Sequence, residues 1–119
     1  MSSPVHSYLR THRRTWGLTQ KELAFLLGRK SPTHVSRLEK RKRAPTVDIV
    51  LACEILFGVK SHMIFPTLYE EIEDDVLARA AKLYEELQHK TSRPALRKKE
   101  FLSIALKRAI TRINQTEGV

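Results

Sequence analysis

The segment PTHVSRLEKRKRAP (32–45) sets Thr33, His34, Ser36 and Arg37 around apolar Val35 and Leu38, then closes on four consecutive cations, Lys40, Arg41, Lys42 and Arg43. Ammonium and guanidinium groups at this density suit phosphate oxygens, contacts that position a protein on a nucleic acid without choosing a sequence. Read alone, such a run is equally well a solvated loop. The polar side chains ahead of it add a second chemistry, because a guanidinium can bond guanine bidentately and hydroxyl or imidazole groups can meet base edges.

Other chemistry finds little support. His6, His12, His34, His62 and His89 are scattered, and none stands at a metal-ligand spacing from another His or from the single Cys53. The acidic run Glu70 to Asp75 lacks the glycine turn and alternating ligands of a calcium loop and reads as favourable charge near a helix start. Cys53 lies in an apolar stretch with no cation or His beside it, so it reads as a small buried residue. With no glycine-rich phosphate loop and no nucleophile elbow, the sequence calls for no cofactor and no catalysis.

The 119 residues carry 22 Lys and Arg against 13 Asp and Glu, a formal charge of +9, with a pI near 10.1. Nucleic acid is the first partner such a balance implies. Charge is distributed in three blocks: residues 1–65 hold 12 basic and 4 acidic residues, 66–90 hold 3 and 7, and 91–119 hold 7 and 2. A lone cysteine and the lack of a leader or an apolar span of ~18 residues fit a soluble, cytoplasmic, reduced protein.

The elements that must position these side chains read as helices throughout. Ser3 and Pro4 open a first helix, Val5 to Trp16, ending before Gly17. Thr19 with Glu22 forms a capping signal for a second helix whose Leu23, Leu26 and Leu27 share a face until Gly28. Ser31 and Pro32 open a third, to about Lys40, with Val35 and Leu38 as its apolar pair. VDIVLACEILF, closed by Gly58, reads as a buried fourth helix, and Ser61 to Phe65 as a short fifth. Beyond Pro66, Leu68, Ile72, Val76, Ala80, Leu83 and Leu87 mark a long amphipathic helix over 67–88. HKTSRP (89–94) reads as a linker, and Ala95 to Ile113 as a last helix striped by Leu102, Leu106, Ala109 and Ile113, with the final six residues frayed.

The pattern Gln20, Ala24, Gly28, Val35 and Leu38 resembles the Cro and lambda-repressor-like (XRE-type) helix-turn-helix family over about Tyr8 to Pro66. The resemblance implies an all-α fold: a five-helix lambda-repressor-like DNA-binding domain (1–65) followed by a two-helix extension (66–119). Ala24 would let two short helices approach closely, and Val35 and Leu38 would seat the third on the core. Its polar edge would then face the major groove, with base contacts falling on Thr33, His34, Ser36 or Arg37. The resemblance gives Gln20 a phosphate contact, beside which the start of the second helix offers backbone N–H groups. Lys30 and Ser31 ahead of the third helix, and Lys40, Arg41, Lys42 and Arg43 after it, complete the candidate DNA-binding set. Arg13 and Glu39 match positions that commonly pair as scaffold. Three departures stand out: Arg29 and Lys30 lengthen the turn by one residue, Arg41 stands where the family often has the Gly that ends the third helix, and His12 stands where an aliphatic residue is usual.

The implied function is sequence-specific recognition of double-stranded DNA by a transcriptional regulator, a dimeric repressor in the leading reading. The stripe from Leu68 to Leu87, with Leu102 to Ile113, offers a homodimer interface; packing within its own chain is the alternative use. A competing reading makes the protein an antitoxin whose C-terminal helices bind a toxin partner. RNA is disfavoured by the few aromatics available for stacking.

Overall fold

The computed structural model describes residues 7–40 and 43–117. All regular structure among them is helical: α1 Leu9–Thr15, α2 Gln20–Leu26, α3 Pro32–Glu39, α4 Val47–Phe57, α5 Ser61–Ile64, α6 Pro66–Glu86 and α7 Arg93–Glu117. The chain divides into two compact units, one ending at Glu71 and one beginning at Ile72.

In the first unit α1 begins at Leu9, later than Val5, because Ser7 Oγ accepts the Leu9 N–H (3.1 Å) and Tyr8 N–H is drawn away to the Ile64 carbonyl (2.7 Å). The expected Ser3 and Pro4 cap lies outside the described residues. α2 opens with the full capping box: Thr19 Oγ1 accepts from Glu22 N–H, and Glu22 Oε1 accepts from Thr19 N–H. It closes on Gly28, whose φ of +73° is the left-handed conformation that lets Arg29 N–H reach back to the Ala24 carbonyl (2.8 Å). α3 opens on Ser31, whose Oγ accepts Thr33 N–H, with Pro32 at its first position.

Leu9, Leu23, Ala24, Leu27, Val35, Leu38, Ile49, Cys53, Ile64 and Phe65 form one buried cluster. Burial pushes the Cys53 thiol up to about 12, the behaviour of an inert core residue. His12, at the position noted as usually aliphatic, sets its ring against Phe57, centroids 5.4 Å apart. The expectation that α4 is buried all round does not hold. Ile49 and Cys53 face the core, while Val47, Leu51 and Ile55, one stripe at four-residue spacing, stay 74%, 52% and 82% exposed. A unit of this size has too little chain to cover both sides of its fourth helix.

In the second unit α6 and α7 pack through Leu87, Ala95 and Leu102, with Ala80 and Tyr84 against them. Much of the stripe expected to pair two copies is therefore spent within the chain: Leu87 and Leu102 are buried here, and Leu68 packs on the first cluster. Ile72, Val76, Leu83, Phe101 and Ile104 remain exposed. Glu73 takes Arg112 in a two-pronged ion pair between the helices. The linker is shorter than HKTSRP, because Ser92 Oγ accepts Ala95 N–H (3.3 Å) and Arg93 and Pro94 already belong to α7. Lys99 Nζ donates to the Lys90 carbonyl (2.9 Å) and braces this turn. At its other end α7 continues through Glu117 rather than fraying after Ile113. No described helix is long and apolar enough to cross a membrane.

Candidate nucleic-acid interface

The site is built on α3, a helix of eight residues fixed by two anchors. Val35 and Leu38 are buried, which turns Thr33 and Arg37, four residues apart, to the open side; both are exposed. Ser36 is partly buried one position round, and Lys40, at the C-cap, is exposed. Lys30 and Ser31 lead into the helix and are also exposed, as is Arg43 beyond it. Arg41 and Lys42 lie outside the described residues.

His34 is placed differently from Thr33 and Arg37. Its Nε2 is buried and has no hydrogen-bond partner, so that nitrogen is not offered to a base. Burial holds the imidazole below its ordinary pKa, and the positive charges of Arg43, Arg29 and Arg37 push the same way, against a smaller opposing effect of Asp48. The longer turn explains these surroundings. Arg29 folds back across it, donating from Nη2 to Asp48 Oδ2 (2.9 Å) and Thr46 Oγ1 (3.2 Å) at the start of α4. Asp48 sits below the usual carboxylate range, first through its bond from the Thr46 hydroxyl and then through Arg29.

Behind α3, Arg13 and Glu39 make the expected pair, with side chains only 10% and 4% exposed. Arg13 Nε donates to Glu39 Oε2 (2.6 Å), Nη2 to Oε1 (3.3 Å), and Nη1 to the Leu18 carbonyl (2.8 Å). Gln20 joins this network, donating from Nε2 to Glu39 Oε1 (3.1 Å). The capping box meanwhile occupies the Thr19 and Glu22 N–H groups, leaving fewer free amides at the start of α2 than the sequence suggested.

Gln20, Ser36 and Lys40 meet Arg10, Arg13, Arg14 and Glu39 around one groove of about 380 Å³. The sequence reading does not single out Arg10 and Arg14. Their four-residue spacing is the signal that could have found them, but the apolar residues of the first helix define it without them.

A family model described as helix-turn-helix matches residues 9–62, from the start of α1 into α5. Residues 9–62 match the helix-turn-helix family of the Cro/C1 type. No curated protein and no solved structure matches the chain. The helix-turn-helix proper is α2, the Gly28 turn and α3, and the family is one of DNA-binding transcription regulators. The extended turn with Arg29 and the whole of α3 lie inside the matched residues. No group of three or more His, Cys, Asp or Glu side chains among the described residues is placed to hold a metal.

Proposed function

We propose that the protein is a repressor that binds a specific double-stranded operator as a homodimer. Residues 1–65 act as the DNA-binding domain, and residues 66–119 join the two copies. The observation that carries the reading is the seating of α3, whose buried Val35 and Leu38 leave Thr33 and Arg37 on one open edge. These two side chains are assigned the base edges, Arg37 toward guanine. Ser36, Lys30 and Ser31 flank them. Gln20, Lys40 and Arg43, with Arg41 and Lys42, are assigned to the backbone, and His34 supports α3 from its inner side. Support for a second copy comes from the exposed apolar residues of the C-terminal unit, Ile72, Val76 and Leu83 on α6 and Phe101 and Ile104 on α7. In the same unit α6 is rich in acidic residues and α7 in basic ones, a distribution suited to pairing across a two-fold axis.

The test is selection from a randomised duplex library at fixed salt, with wild type and Arg37→Ala in parallel. A palindromic motif with half-sites about one helical turn apart, relaxed at one position per half-site in the variant, supports the reading. The relaxed position should cost ~1–3 kcal/mol of discrimination. Salt-sensitive binding with no enriched motif defeats it. A small protein that copurifies through the C-terminal helices in place of a second copy would turn the assignment to the antitoxin reading.

A further inference from the structure

The groove bordered by α1, the start of α2 and the rear edge of α3 contains one carboxylate and several cations. That carboxylate, Glu39, is already neutralised. Its two oxygens receive Arg13 Nε and Nη2 and the Gln20 amide, and it is almost wholly buried. Arg13 is consumed by the same pair. What remains for the groove is Arg10, Arg14 and Lys40, all exposed and none in an ion pair among the described residues.

The fold itself gives Arg10 no reason to be a cation. It lies in the first turn of α1, where the helix dipole disfavours positive charge, and it stands four residues from Arg14, a like-charge spacing that costs helix stability. Arg14, in the last turn, suits the dipole; the pair as a unit lacks an anion. The space is large beside the ~30 Å³ share of one water in the liquid. Ser36 and Lys40, which form its α3 side, are on the same helix as Thr33 and Arg37.

We propose that this groove takes a phosphodiester of the DNA backbone, gripped by Arg10 and Arg14 from α1 and Lys40 from α3. The inference rests on the DNA-binding reading and adds α1 to the binding surface. Arg13 and Glu39 form the floor: their pairing removes the only negative charge from the groove and fixes α1 against α3, so that cations from two helices converge on one anion. Because a phosphate is common to every sequence, the grip sets how firmly the protein is held and where it stands on the duplex, and Thr33 and Arg37 keep the choice of bases.

The experiment measures binding of the full chain to its selected duplex and to an unrelated duplex across a salt series, for wild type, Arg10→Gln/Arg14→Gln and the charge-matched control Lys60→Gln/Lys90→Gln, two exposed cations outside both proposed interfaces. Thermal unfolding of each variant confirms that the surface changes leave the fold intact. The double α1 variant should weaken both duplexes alike and make the log–log salt slope shallower by up to about 0.9 for each chain bound, the share of the single phosphate charge that its groove neutralises. Neutral methylphosphonates, placed singly along the duplex, should reveal a backbone position whose neutralisation weakens wild type but not the double variant. Equal slopes for the α1 variant and the control, with Arg37-dependent specificity intact, would overturn the groove and leave the DNA-binding reading standing. A wild-type chain that binds no duplex would overturn both.

Discussion

Arg13 and Glu39 show how one buried ion pair organises the interface. Once out of water, each charge depends on the other, and removal of one partner leaves an uncompensated ion in the core. Glu39→Ala should therefore cost ~3–5 kcal/mol in denaturant unfolding, whereas replacing both partners by methionine should recover most of that deficit. A Glu39→Ala midpoint equal to wild type would show that the pair does not hold α1 to α3. His34 carries a different case, a titratable ring whose charged form is disfavoured by its surroundings. Its folded-state pKa is lowered, by burial first and then by Arg43, Arg29 and Arg37. The unfolded chain thus binds the proton more readily. The stability this contributes is present above the ordinary His value near 6.5 and is lost as pH falls through the lower folded value. Melting temperature should drop between pH 7 and pH 5, and His34→Gln should flatten part of that drop. The Arg13–Glu39 pair was legible in the sequence because both residues fall at recognisable positions of a familiar pattern. The inward nitrogen of His34 was not, since its burial accompanies the way Arg29 folds the longer turn back on α4.

Helix boundaries were legible wherever a side chain closes them. Thr19 with Glu22 and Ser31 with Pro32 satisfy backbone groups where α2 and α3 begin, and Gly28 and Gly58 take the left-handed conformation where α2 and α4 end. α4 resisted reading in another respect. Eleven residues that are nearly all apolar have no polar face to mark the solvent side, so only the packing of the whole unit decides which are covered. The consequence can be measured by two substitutions six positions apart. Ile49→Ala removes a fully buried side chain and should cost ~2–5 kcal/mol. Ile55→Lys places a charge on a position that is 82% exposed and should change stability by no more than ~0.5 kcal/mol, with improved solubility. If Ile55→Lys instead unfolds the protein or lowers its affinity for the operator, the exposed stripe of α4 is covered in the working state.

For the whole molecule the three charge blocks were plain from composition, and the basic first block contains the residues that match the helix-turn-helix family. What composition could not give is which apolar residues of α6 and α7 remain after the hairpin has packed, because one repeating stripe serves equally for internal and external packing. The distinction matters for the proposed dimer, and salt dependence can read it. Each phosphate neutralised releases counterions, and 6–10 such interactions weaken binding ~10³–10⁵-fold between 50 and 200 mM salt. If two copies bind together, the log–log slope on the full palindrome should be about twice that on a duplex carrying a single half-site, because the second copy repeats every phosphate interaction of the first. Val76→Asp, on the exposed part of α6, should convert the protein to a monomer in sedimentation and reduce the palindrome's slope to that of the half-site, while Arg37-dependent base preference persists. Equal slopes on both duplexes in wild type would mean that one chain occupies the operator alone, and the exposed residues of the C-terminal unit would then have to answer to a different partner.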